Sequence, residues 1–543
     1  MQADRGKRLV LITLASAQFL MTLDTSVMNV SIATVARDLG TTVSGIQVAI
    51  TLYTLVMASL MLTGGKVGAI VGRRRVFAIG CVVYGAGSLT TAVAPNLGVL
   101  LVGWSVLEGM GAALIMPAIV TLVAGNFPRE RRASAYGLIA ASGGIAVALG
   151  PLIGGAVTTF ASWRFIFLGE VVIAMVILAL SRRIQDVARV GRPRLDLVGS
   201  LLSVLGLGMA VFAVLRSGVW GWVRPKPEAP QLFGVSLVTW LLLAGLLVLL
   251  ALFVWETRVE RAGRTPLVSL SMLANRQLLG GLTMFFFQYF VQAGIFFTIP
   301  LFLSVVLELS TVETGVRLVP LSLALLLSAL AVPRLWPTAS PRRVVRVGLV
   351  LLLGATILLI AVIDADATAS VVTVPLLILG LGVGTLASQL GAVTVSAVPD
   401  EQSPEVGGLQ NTALNLGASL GTALVGSVLI AVLTSFILQG VLTRQDVPDS
   451  VKSEAQVTFG AGAPFVSDAE VRAGLEARGV SQASIDQVLA LNGEARLAAL
   501  RSALVVVAIA ATFALFLTGL VPTRAPGTPG LGDEQPQVRA PDG

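Results

Sequence analysis

Three carboxylates stand where a carboxylate is costly. Asp24, Glu108 and Glu170 each interrupt an apolar run, within LDTSVMNVSI, SVLEG and FLGEVVI. A charge at that depth in lipid costs at least ~2.5 to 3.5 kcal/mol even on a lenient scale, so something must offset it. The chain has no histidine. Proton chemistry near neutral pH therefore falls to Asp or Glu whose pKa is moved by burial or by neighbours. Asp24 lies thirteen residues before Arg37, and Glu108 lies thirteen after Pro95. At ~1.5 Å per residue both sit about 20 Å below one boundary, which places them at a common level. Two carboxylates close together in low dielectric favour retaining a proton, the property a proton-coupled site needs. Asp24 shares a helix face with Met21 and Met28, a soft surface suited to a cavity wall. Structural hydrogen bonding to a neighbouring span is the alternative for both acids. Glu170, six residues in from Arg164, is open to a helix-end role as well as to a site.

A second group of residues suits binding. Phe285, Gln288, Gln292 and Phe296 recur at i, i+3, i+7 and i+11 in MFFFQYFVQAGIFFTIP, stacking rings and amides along one stripe. Aromatic faces attract lipophilic cations and pack apolar rings. Lipid-facing rings with glutamines bonded to adjacent helices remain the other reading. Gln410, Asn411 and Asn415 are open to interhelical hydrogen bonding or to pore lining. Nothing points to an enzyme. There is no GxxxxGK[ST] loop, and without histidine or paired cysteines the usual zinc ligands are missing. No metal and no cofactor are expected, and a proton gradient is the expected energy source.

The elements that position these residues follow from composition. Of 543 residues 55% are hydrophobic and 12% charged, and the mean hydropathy is +0.89. A bilayer core of about 30 Å asks for roughly 20 apolar residues per helix, and fourteen such runs can be counted. The fold class is an all-α polytopic membrane protein. Leu9 to Leu20 follows basic residues as a signal peptide would, but no small-residue cleavage site follows promptly, so an uncleaved first span is expected. The one cysteine, Cys81, excludes an intrachain disulfide.

Basic residues flank the spans and concentrate on the side of the N-terminus, which puts both termini in the cytoplasm of a bacterial-type cell membrane. The sequence pI of about 10.3 then reflects orientation and attraction to anionic lipid, with no nucleic-acid partner implied. A monomer is expected, with the bilayer and a small amphipathic or lipophilic substrate as partners.

A weak repeat sets LTGGKVGAIVGRRRVFAIG against LAVPRLWPTASPRRVVRVG. Two parallel six-span halves are expected, at 1–195 and 256–522, with two inserted spans at 196–255. An external excursion at 439–499 is patterned for two short helices, and the Pro/Gly-rich 523–543 for a disordered cytoplasmic tail.

Three motifs in their proper places give the chain a resemblance to the major facilitator superfamily, in its fourteen-span drug:proton antiporter branch. LDTSVMNVSIA resembles the first-span motif through Asp24, Thr25 and Asn29, with Ala33 where a proline is usual, and Asn29 joins Met21 and Met28 as a candidate for substrate contact. GKVGAIVGRRR resembles the loop motif through Gly65, Gly72, Arg73 and Arg74. GIAVALGPLIGG carries the fifth-span antiporter motif through Gly150, Pro151, Gly154 and Gly155. The resemblance implies a major facilitator fold and export by alternating access. It also implies that the fifth-span bend seals the halves against leak. Further positions depart from it: Ala69 replaces the loop aspartate, Ser105 and Glu108 replace the arginine and glutamine of the fourth-span motif, Ala146 replaces a fifth-span glycine, and Leu414 replaces an arginine of the thirteenth span.

A proton-driven exporter of amphipathic or lipophilic compounds is the leading expectation. A flippase for lipid-like metabolites and a non-transporting membrane sensor or assembly factor are the competing ones.

Overall fold

The computed structural model describes residues 2–523 apart from 42, 187–194, 227–228, 265, 366, 400–401, 443–462, 464 and 478–480. Among them are fourteen helices long and apolar enough to cross a membrane. These are α1 Gln2–Asp38, α2 Val43–Val71, α3 Arg73–Ala92, α4 Leu97–Asn126, α5 Arg129–Phe160, α6 Arg164–Ser181, α7 Leu197–Trp220 and α8 Leu237–Arg261. They continue with α9 Arg276–Val306, α10 Thr311–Leu335, α11 Pro341–Val362, α12 Ala369–Val395, α13 Ser403–Leu442 and α14 Gln482–Leu517.

Many helices start on a polar residue that the sequence supplies for that purpose. Asn96, Asp196, Ser236 and Asn275 each accept a backbone N–H of the first turn of α4, α7, α8 and α9. This satisfies donors that would otherwise be orphaned in lipid. Ser310 and Glu313 form a reciprocal capping box at the start of α10, so Glu313 turns back onto Ser310 where spacing alone suggests a pair with Arg317.

The helices form two groups that meet along α5 against α10, α5 against α12, and α13 against α2 and α4. The inserted α7 and α8 pack on each other, and α7 also touches α2 and α13. Leu243, Leu246, Leu247, Leu250 and Phe253 of α8 are exposed, as suits a helix facing lipid. The loop between these two spans carries a small hairpin in which Gln231 pairs with Ser236 and Leu232 with Val235. Its turn residues Phe233 and Gly234 have φ of 53° and 74°. Trp222 Nε1 ties the loop to Ser427 of α13 at 3.0 Å. On the far side from the N-terminus, Arg164 of α6 pairs with Asp38 of α1, and Trp163 donates to the same carboxylate at 3.0 Å. The Arg164 hydrogen bond holds the Asp38 carboxyl below its ordinary value of 3.8. The tie therefore persists at neutral pH and is lost only as pH falls through that lowered value.

The excursion after α13 differs from its expected form. One short helix, Asp468–Glu476, stands apart, but the second helical stretch is the beginning of α14, which runs unbroken from Gln482 into the membrane. Only Arg501 and Ser502, with no Pro or Gly, separate SIDQVLALNGEARLAAL from the apolar run that follows, so one helix is cheaper than two. The tail expected to be disordered lies almost wholly outside the described residues.

Arg496, 1% exposed, holds the short helix in place. Its guanidinium pairs with Asp468 at 2.7 Å and donates to the carbonyls of Val466 and Val305 at 3.0 and 3.1 Å. Taking the partner from a fully buried pair costs about 3–5 kcal/mol, and less where one member is half-exposed as Asp468 is. In the Asp468→Asn variant, amide exchange across Asp468–Glu476 is expected to quicken by about tenfold or more while α1–α13 exchange as before. Unchanged exchange would mean that the helix docks by other contacts.

Candidate functional site

Asp24 of α1, Glu108 of α4 and Glu170 of α6 converge inside the N-terminal group of helices, each 0–1% exposed. One carboxylate oxygen from each lies within 4.8 Å of the other two. The local sequence explains the fit. Leu101–Glu108 is wound as a π-type stretch, a widening that re-aims side chains and recurs at functional sites. Glycines clear the space beside it: a Cβ on Gly87 would stand 2.6 Å from Glu108 Cγ, and one on Gly103 would stand 2.8 Å from the Thr91 backbone nitrogen.

Each acid is met by neutral donors only, among the described residues. Trp104 Nε1–H donates to Asp24 Oδ1 at 2.7 Å, Thr91 Oγ1–H to Glu108 Oε1 at 3.2 Å, and Tyr84 O–H to Glu170 Oε2 at 3.1 Å. Ser88 adds a longer bond to Glu170 at 3.4 Å. The second oxygens, Asp24 Oδ2, Glu108 Oε2 and Glu170 Oε1, are buried with no partner on the protein. No cation faces the cluster among these contacts. Two full negative charges at this spacing repel by about 3–4 kcal/mol even at an effective dielectric of ~20. Three anions are therefore a poor occupant of the cluster, and protons shared among the orphaned oxygens are a good one. Ser105, where the resembled branch has arginine, donates to the Ala49 carbonyl at 2.8 Å and brings no charge.

Beside the cluster lies a cavity of about 330 Å³ between the two groups of helices. Met21, Phe285, Gln288, Gln292, Phe296, Gln410, Asn411 and Asn415, the residues expected to bind substrate, all line it. Met28 does not. It is 1% exposed and packs among Ile46, Trp104 and Trp163, because the α1 face it shares with Asp24 is covered there by core side chains. The side chains of Asn29 and Pro151 lie outside the described residues. Sequence reading missed Tyr53, which lines the cavity and stacks on Trp104 with ring centroids 5.1 Å apart and planes 12° from parallel. Tyr53 thus separates the cavity from Asp24. The missed donors Tyr84, Ser88 and Thr91 carry a signal in hindsight, since they fall at i, i+4 and i+7 on one face of α3.

The motif glycines divide their work. A Cβ on Gly150 would meet Ser26 Oγ at 2.1 Å and one on Gly154 would meet Val27 at 3.2 Å, both on α1. Gly155 is only partly buried. These motif glycines close α5 onto its own half. The close approach to the other half falls instead to Gly137, whose Cβ would stand 2.7 Å from the Ala329 carbonyl, and to Gly144 against Leu325. Gly137→Ala is expected to cost about 1–3 kcal/mol of contact between the halves. A transport rate and thermal stability equal to the parent's would reject that assignment.

Gly72 starts α3 at φ 110°, a conformation side chains rarely adopt. Gly65 and Arg73 are buried next to this turn. Arg74 clips it to the end of α6 through Asp186 at 3.2 Å and the Arg182 carbonyl at 3.4 Å. One turn earlier Lys66 of α2, 4% exposed, crosses to Glu405 of α13 at 2.7 Å. The Ser269 amide also donates to Glu405, at 3.3 Å. Here, three residues from Ala69, the two halves are joined by a buried charge pair that no motif announces.

Comparison with known proteins agrees with this architecture. Residues 14–422 match the family model described as Major Facilitator Superfamily. The puromycin resistance protein pur8 of Streptomyces alboniger is 32% identical over 77% of this chain and 81% of its own length. The probable actinorhodin transporter of Streptomyces coelicolor is 30% identical over 77% and 72%. Among solved structures, the human organic anion transporter MFSD10 superposes with a TM-score of 0.57 at 12% identity, covering 94% of this chain and 99% of its own.

Proposed function

The chain belongs to the major facilitator superfamily, and from that premise we propose that it is a proton-driven exporter, an antiporter that moves amphipathic or lipophilic small molecules out of the cell by alternating access. The relatives named for antibiotic resistance and antibiotic transport support the direction and the kind of cargo. The observation that carries proton coupling is the buried cluster of Asp24, Glu108 and Glu170, with three orphaned oxygens and only neutral donors among its described contacts.

In this reading the cluster takes protons from outside when the cavity opens outward. It releases them inward when the halves rock the other way, each change of access exposing the acids to a different pH. Tyr53 and Trp104 carry the link: a compound seated against Tyr53 presses on the ring stacked over the donor to Asp24. Coupling then needs no contact between substrate and carboxylate. Proteoliposomes holding a pH gradient test the reading. Substrate addition should release the gradient, and collapsing the gradient should stop uptake into inside-out vesicles. A sodium gradient that drives uptake with pH held equal would reassign the cluster to a metal cation. Translocation of fluorescent lipid in place of soluble compounds would reassign the cargo.

A further inference from the structure

The cavity is lined by aromatic, methionine and amide side chains, and none of its described lining residues carries a formal charge. Leu414 lines it with an alkyl chain. Asp24 does not line it and reaches it through Trp104, its donor, and the Tyr53 ring stacked on Trp104. The side-chain carbonyl oxygens of Gln288, Gln292 and Gln410 are buried without a partner, and a buried acceptor left unmatched is costly until a donor reaches it. From this lining we infer that the transported compounds enter the cavity uncharged, as planar aromatic molecules that carry hydroxyl or N–H donors.

A permanent cation would lose its hydration there and find only ring faces, which repay part of that loss. An anion would find amide N–H groups but no counter-charge. A neutral ring loses little on leaving water, stacks on Phe285, Tyr289 or Phe296, and supplies the three amide oxygens with donors. Met21, Met57 and Met116 complete the wall with flexible, polarisable side chains that adapt to different ring outlines. Selectivity is then set by hydrogen-bond donors and charge more than by shape.

The inference rests on the transport reading for the use of the cavity, but it can be tested by binding to solubilised protein with no gradient present. Three fluorescent tricyclic probes of nearly equal size serve: acridone, which is neutral and has an N–H; N-methylacridone, neutral without one; and N-methylacridinium, a permanent cation. Acridone is expected to bind about tenfold or more tighter than N-methylacridinium, with N-methylacridone between them. Gln292→Glu places a carboxylate in the cavity and should reverse the order of acridone and the cation. A cation that binds the parent protein as tightly as acridone, or failure of acridone to bind, overturns the assignment. Loss of proton-driven transport with the order of affinities intact would instead overturn only the coupling.

Discussion

Asp24→Asn and Glu108→Gln are each expected to lower the proposed pH-driven efflux by about 10² or more, the scale on which a positioned proton carrier acts, with ligand binding in the cavity retained. The separation of effects follows from the geometry. Neither acid lines the cavity, so on the proposed coupling their removal changes the driving reaction and leaves the lining in place. Amides of the same shape keep the Trp104 and Thr91 hydrogen bonds but cannot exchange a proton. Substrate counterflow, which needs no net proton movement, is expected to survive in the Asp24→Asn protein. Glu170→Gln should shift the pH at which efflux is half-maximal, because Glu170 shares the same cluster while Tyr84 and Ser88 tie it to α3. Efflux measured in proteoliposomes at imposed pH gradients, with binding followed separately, checks the set. Full coupled transport in the double Asp24→Asn, Glu108→Gln variant would remove the cluster from the mechanism.

What could be read in the sequence was whatever lipid makes expensive or repeats at short range. Fourteen spans are legible because each needs its own apolar run, and the acids are legible because a charge in such a run demands an explanation. The stripe Phe285, Gln288, Gln292, Phe296 was legible because one helix face carries all four. Contacts between helices were not. Trp104 looked like one more apolar residue until α1 and α4 were brought together, and Tyr53 until α2 joined them. Met28 was misplaced because a shared helix face says nothing about what covers it at each level. The pairing of Lys66 with Glu405 spans 339 residues, and no local periodicity encodes it. Ala69 stands three residues from Lys66, but its departure from the family pattern says nothing of which distant residue Lys66 meets.

Breaking that join is the other substitution with a large expected effect. Lys66 and Glu405 are 4% and 11% exposed, 2.7 Å apart, on helices of different halves near the end of the bundle where the chain begins. Such a pair exists only while the halves touch at that end. When they part, both groups meet water and lose little. Glu405→Gln leaves the Lys66 ammonium buried without a counter-charge, which disfavours the joined state by about 3–5 kcal/mol, or roughly 10²- to 5 × 10³-fold in population. The parted state carries no such penalty, so the equilibrium moves toward it. Distances between spin labels on the ends of α2 and α13 at that side should lengthen, in a background where Cys81 has been replaced. Efflux should fall, because a cavity held open at one end cannot alternate. Exchanging the partners, Lys66→Glu with Glu405→Lys, should recover much of the short distance and of the rate, whereas Lys66→Met with Glu405→Met should restore the joined state without any charge. The rescue matters more than the loss. A general destabilisation of α13 would not be repaired by a second substitution 339 residues away, so failure of both double variants would show that the halves are held at this end by packing alone.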